Sequence, residues 1–250
     1  MCRALFIPPL AFVLALPLQA QDTLSIRGKQ QQLHLYGRKG AAPIILSSGD
    51  LGWAGLVVYV AEFLSSHGYY VIGFNSKAYL VSFTSRSETL APQDVPGDFR
   101  ILIEYAARGA PSRPVLAGIS EGAGLSVLAS TRREVKESIQ GILGLGLPDQ
   151  NELGWKWQDF TIWITKKKPN EPGFMVADII SLVSPLPLAE IHSTHDEFLP
   201  LDKAKAIFSR AGNPKRMWVI EASNHRFSDN RPDLDRCVME ALQWIRSNSK

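Results

Sequence analysis

With 250 residues, 45% of them hydrophobic, the chain is long enough to bury a full core around a single sheet and reads as one enzyme-sized domain. A formal net charge of +3 is too near neutrality to support a nucleic-acid partner. Of its two cysteines, Cys2 falls in the first residues and Cys237 would stand alone in a processed chain, which excludes an intramolecular disulfide framework.

The first twenty residues read as an export signal: Arg3 gives a positive start, Ala4 to Leu16 is apolar apart from Pro8 and Pro9, and Leu18-Gln19-Ala20 offers a small residue before a cut ahead of Gln21. The apolar run falls short of the roughly 20 residues an easy membrane span needs, though an uncleaved N-terminal anchor is the alternative. In either case the domain, residues 21–250, is expected outside the cytoplasm, periplasmic or secreted.

Strands and helices then alternate. Strands are expected at Gln32 to Tyr36, Ile44 to Ser48, Tyr70 to Phe74, Val115 to Ala117, Gly141 to Leu145, Leu188 to His192 and Arg216 to Glu221. Helices are expected near Ala54 to Ser66, Asp98 to Arg108, Gly122 to Thr131, Asp202 to Ala211 and Leu234 to Ser247. This succession predicts an α/β fold, a mostly parallel sheet with helices on both faces and ligands at the carboxyl ends of the strands. Cys237 lies on the apolar stripe of the last helix with Leu234, Val238, Leu242 and Ile245 and is read as a packing residue.

The chemistry gathers in the loops after strands. Ser47 to Trp53 follows the first buried-looking strand; Gly49 permits close backbone approach to a ligand, and the Asp50 N–H is a candidate oxyanion donor, although Ser and Asp here also suit a helix-capping loop. Tyr79 follows the next strand and is a tentative pocket residue, as Gly49 is. Asp94, Asp98 and Glu104 read as a solvated helix face, and His34 and His67 as surface residues. Gly118-Ile119-Ser120-Glu121-Gly122 is a Gly-x-Ser-x-Gly pattern between a strand and a helix. On such a sharp turn the side chains two positions either side of the serine must be small, so Ser120 is the candidate nucleophile and the Glu121 N–H the second oxyanion donor; an ordinary tight turn is the plainer account. Downstream, Ser193 to Pro200 presents Asp196, with Glu197 as rival acid, and Ala222 to Phe227 presents His225. The chain order Ser120, Asp196, His225 is that of α/β-hydrolases. His192, His195 and Asp196 do not complete a zinc set, and neither metal nor cofactor is expected.

Between residues 148 and 185 the alternation breaks into an irregular insertion. Trp155, Trp157, Phe160 and Trp163 precede Lys166-Lys167-Lys168, a combination suited either to an anionic lipid interface or to an extra hairpin whose lysines protect an edge.

These residues together resemble the AcvB/VirJ-type bacterial virulence proteins, which are periplasmic α/β-hydrolases. The resemblance lies in Ser48-Gly49-Asp50-Leu51-Gly52-Trp53, Ala61-Glu62-Phe63-Leu64, Gly68-Tyr69-Tyr70-Val71-Ile72-Gly73, Tyr105-Ala106-Ala107-Arg108, Asp196-Glu197-Phe198-Leu199-Pro200 and His225 with Phe227. It implies hydrolysis of an aminoacyl ester on a phospholipid, lysyl-phosphatidylglycerol being the associated substrate; the lipid-interface reading of the 155–168 run would add peripheral membrane contact. The chain departs from the pattern at Leu51, where the family has glycine, and at Ile119 and Glu121, where the family's elbow reads Gly-Tyr-Ser-Phe-Gly. A general carboxylesterase, or a non-catalytic envelope or secretion-associated protein on the same fold, are the alternatives.

Overall fold

The computed structural model describes residues 20–85, 88–154 and 172–249. Its main sheet has eight strands: β1 (Ala20–Ile26), β2 (Lys29–Tyr36), β3 (Ala42–Ser47), β4 (Tyr69–Phe74), β5 (Val115–Ile119), β6 (Gly141–Leu145), β9 (Leu188–Ser193) and β10 (Lys215–Ile220), with β7 (Gln150–Glu152) and β8 (Gly173–Met175) forming a separate antiparallel pair. The order across the sheet is β1-β2-β4-β3-β5-β6-β9-β10, in which β1, β2 and β4 pair antiparallel and every other neighbouring pair is parallel.

Sequence explains which strands sit centrally. β4, β5, β6 and β9 are buried at every position, as strands covered on both faces must be, whereas β1 is largely exposed and β2 mixes exposed and buried positions. Successive residues of β3 divide between the two layers: Ile45 joins one core with Ile72, Phe99 and Leu116, while Ile44 and Leu46 join the other with Val60, Leu64 and Leu143.

The helices are α1 (Leu56–Ser66), α2 (Ser76–Phe83), α3 (Val95–Ala107), α4 (Glu121–Ala129), α5 (Arg133–Ser138), α6 (Val176–Ile179), α7 (Leu201–Ser209) and α8 (Arg231–Asn248), with a 3-10 turn at Ile180–Val183. α1 and α8 pack on one face; α2, α3 and α4 pack on the other. Cys237 is buried on α8 among Leu234, Val238 and Leu242.

Three expectations are corrected. Tyr79 does not line a pocket: α2 turns its ring fully into the core, where its hydroxyl donates to Asp98 Oδ2 at 2.6 Å. Asp98 is not on a solvated face but buried, because Arg27 from the β1–β2 turn binds it through Nε and Nη2, each at 2.8 Å. His34 is half-buried rather than exposed, stacked on Trp53 with ring centroids 4.6 Å apart. Trp53 in turn lies flat across Gly73, where a Cβ would collide with the indole. The expected signal segment up to residue 19, and Trp155, Trp157, Phe160, Trp163 and Lys166 to Lys168, lie outside the described residues.

Candidate active site

Every candidate residue falls just beyond the carboxyl end of a parallel strand: Gly49 and Asp50 after β3, Ser120 after β5, Asp196 after β9 and His225 after β10. The elbow shows why the sequence needs its glycines. Ser120 has φ +50° and ψ −118°, a region costing a non-glycine residue on the order of 1–3 kcal/mol, and its N–H donates to Leu145 O at 2.9 Å. A Cβ on Gly118 would fall on the Gly122 carbonyl, and one on Gly122 would lie 2.5 Å from the carbonyl oxygens of Ser47 and Ser48. Strand, turn, helix and the β3 loop are therefore packed backbone to backbone.

The β3 loop is fixed independently. The Ser48 N–H donates to Phe74 O at 3.0 Å, the Ser76 N–H donates to Ser48 Oγ at 3.0 Å, and Gly49 lies beside Ser120, where an added Cβ would come within 3.3 Å of the serine Cβ. The N–H groups of Asp50 and Glu121 have no hydrogen-bond partner among the described residues, and Glu121 opens α4, so both are free to meet a developing negative charge.

The acid–base arm is held by hydrogen bonds instead. His225 Nδ1 stands 2.6 Å from Asp196 Oδ2, while Asp196 Oδ1 accepts from the Phe198 N–H at 2.8 Å and the Leu199 N–H at 3.0 Å. Burial would raise the Asp196 carboxyl, but the hydrogen bond and charge of His225 and those two N–H donors outweigh it and hold the group below the ordinary carboxylate value. Glu197 does not compete for the ring, because its Oε2 accepts the His225 backbone N–H at 2.7 Å. The imidazole is further confined by Phe198, edge-on with centroids 5.3 Å apart, and by Gly146, where a Cβ would strike the ring. His225 Nε2 is buried and has no hydrogen-bond partner among the described residues.

Ser120 and His225 share a cavity of about 360 Å³. Its walls include Leu56, Val57 and Ile119, its rim Leu51 and Phe198, which are 56% and 51% exposed, and Arg226 is the cationic residue lining it. These lining residues are not legible in the sequence, because a pocket assembled from four strand-end segments has no local pattern; the adjacency of Leu51 and Phe198 to predicted site residues is the available signal. Glu121 is unusual. Its Oε2 is buried without a partner among the described residues, and burial, reinforced by the charges of Asp50 and Glu152 and partly offset by Lys77, pushes its carboxyl up to about 8.

The three-layer architecture and the strand-end loops define the α/β-hydrolase fold. Solved structures of that class superpose on nearly the whole chain: Est1E from Butyrivibrio proteoclasticus (TM-score 0.65, 14% identity, 91% of this chain and 99% of that one), the α/β hydrolase GrgF from a Penicillium species (0.68, 10%, 92% and 99%) and a dienelactone hydrolase from Anabaena variabilis (0.64, 15%, 94% and 100%). Residues 42–244 match the model of the bacterial virulence protein VirJ, and the chain belongs to that family. No curated protein matches the sequence.

Proposed function

We propose that the chain is an exported serine hydrolase that cleaves a carboxylic ester through Ser120, His225 and Asp196. The observation that carries this reading is a strained serine sharing one cavity with an imidazole whose far nitrogen is held 2.6 Å from a buried carboxylate. His225 Nε2 takes the Ser120 hydroxyl proton as Oγ attacks the ester carbonyl, and the oxyanion that forms is stabilised by the N–H groups of Asp50 and Glu121. Asp196 fixes the tautomer and stabilises the imidazolium, which then protonates the departing alcohol. Water, deprotonated by His225, hydrolyses the acyl-enzyme and restores the serine.

By family resemblance the substrate is an aminoacyl-phospholipid, lysyl-phosphatidylglycerol, met at the membrane surface. The exposed apolar rim of Leu51 and Phe198 and the cationic Arg226 at the cavity support an amphiphilic ester carrying an anionic group. Labelling of the purified protein by a fluorophosphonate, compared with Ser120→Ala and His225→Ala, tests the mechanism; release of lysine from vesicles of lysyl-phosphatidylglycerol tests the substrate. Labelling lost in both variants, with lysine release by the wild type, is the expected result. Labelling without lysine release would leave a general carboxylesterase, and folded wild type that does not label would refute the hydrolase in favour of an envelope protein that does not turn over.

A further inference from the structure

Directly behind the acid–base arm lies a second pair of ionisable side chains that the proposed mechanism does not use. Glu190 and His192, two apart on β9 and so on the same face of the strand, are 1% and 0% exposed. Charged side chains are almost never this buried without partners. Glu190 Oε1 accepts the Leu147 N–H at 2.8 Å, and His192 Nδ1 lies 3.5 Å from the same oxygen. On its other side His192 Nε2 is 2.8 Å from Leu199 O. A carbonyl can only accept, so Nε2 carries a proton.

That assignment constrains the rest. If Nε2 is protonated, a neutral His192 turns a bare Nδ1 lone pair toward Glu190, and an ionised Glu190 would face it with a second acceptor in a site closed to water. Two facing buried acceptors cost free energy, so one proton resides between them, on Nδ1 or on the carboxyl, and the pair is neutral overall in both placements. Burial pushes Glu190 up against the opposing pull of His192, the Leu147 N–H and His225. Burial would lower His192, but the Glu190 carboxylate 3.5 Å away raises it, as expected of two groups competing for one proton.

The connections lead to the site. Leu199, whose carbonyl His192 holds, donates its N–H to Asp196 Oδ1, and His192 Nε2 is 3.7 Å from Asp196 Oδ2. Leu147, whose N–H Glu190 holds, follows Gly146, which lies against the His225 ring. We propose that Glu190 and His192 are positioning residues which clamp, from behind, the two loops that set the Asp196–His225 geometry. Of the titratable groups near the pair, Asp196 comes from the loop after β9, 3.7 Å from His192 Nε2, and His225, whose charge acts on Glu190, from the loop after β10.

The inference rests on His225 being the base, so its test has one readout that needs turnover and one that does not. In the full chain, turnover of p-nitrophenyl butyrate per site titrated by fluorophosphonate is compared among wild type, Glu190→Gln, Glu190→Leu and His192→Gln. Glu190→Gln keeps an acceptor for Leu147 and offers an N–H to Nδ1, so it should retain turnover close to wild type. Glu190→Leu should lose about a hundredfold in kcat per titrated site with KM unchanged, because the pair acts on the loops that hold the base and does not line the cavity. His192→Gln, which keeps a donor for Leu199 but has no ring nitrogen for Glu190, should also lose kcat and carries the test if the leucine variant does not fold. Independently of turnover, the low-field proton resonance of the Asp196–His225 hydrogen bond should persist in Glu190→Gln and shift or vanish in Glu190→Leu and His192→Gln. Unchanged turnover per titrated site together with an unchanged resonance in both disruptive variants would overturn the proposal. A wild type that neither labels nor turns over would refute the hydrolase reading, and the resonance would still decide whether the pair positions the imidazole.

Discussion

The elbow around Ser120 and the arm carrying Asp196 and His225 sit at the same edge of one sheet, yet they are built by different forces. The elbow is determined by what is missing: Gly118 and Gly122 have no Cβ, and the backbones of β3, β5 and α4 close on one another in the space that leaves. The arm is determined by what is bonded: Asp196 accepts from His225, Phe198 and Leu199, and Glu197 ties down the His225 backbone. Steric fit is unforgiving of added atoms and indifferent to charge. A hydrogen-bonded arm tolerates small changes of shape and fails when a proton or an acceptor is misplaced.

The largest expected effect comes where the two meet. Ser120→Ala should abolish fluorophosphonate labelling and lower kcat by about 10⁶, read against any residual ester hydrolysis. On the arm alone, Asp196→Asn preserves shape but favours the wrong imidazole tautomer, and kcat should fall by about 10⁴ at neutral pH with the melting temperature little changed. On the elbow alone the contrast reverses: Gly118→Ala adds one methyl against the Gly122 carbonyl, and should cost about 3 kcal/mol in denaturant unfolding along with most of the labelling. Equal damage to both properties in the Asp196 and Gly118 variants would undo the distinction between the regions.

A smaller effect tests the one charged group on the elbow. Glu121, pushed up to about 8, is neutral near pH 7 and ionises above pH 8, placing negative charge beside the developing oxyanion. Activity should therefore decline through about pH 8 by an amount that Glu121→Gln removes. The folded state also holds this proton more tightly than the unfolded chain does, so its contribution to stability is full below the ordinary 4.5 and lost as the pH rises to about 8; unfolding of the Gln variant should show a flatter pH dependence over that window. The smallest change is expected at Glu197, which accepts the His225 backbone N–H and not the ring: Glu197→Gln keeps an acceptor oxygen and should alter kcat by a few-fold at most, about 1 kcal/mol or less.

Legibility in the sequence followed the same division. The pattern around Ser120 could be read because its steric demand is local, confined to residues within two positions of the serine, and the buried parallel strands could be read because strands covered on both faces form largely apolar runs. The choice between Asp196 and Glu197 could not be made from their adjacency. One side chain reaches the His225 ring and the other its backbone, and that depends on a loop from β10. The places of Tyr79 and Asp98 were not legible because Asp98 is bound by Arg27, 71 residues away on the β1–β2 turn, and Tyr79 donates to Asp98 in turn. Glu190 and His192 did leave a sign, two ionisable residues on one face of a mostly apolar strand, but its meaning required knowing that both faces are covered.

By itself the sequence determined the strand and helix alternation, the sharp turn at Ser120 and the order of the three candidate residues, because these depend on periodicity, small residues and chain direction. Only the tertiary structure decided which carboxylate meets the imidazole, that Tyr79 turns inward, that Leu51, Phe198 and Arg226 border one cavity, and that Glu190 and His192 stand behind Asp196. Those are contacts between loops and strands far apart along the chain, and their distances are fixed by how the sheet and its helices pack rather than by any local run of residues.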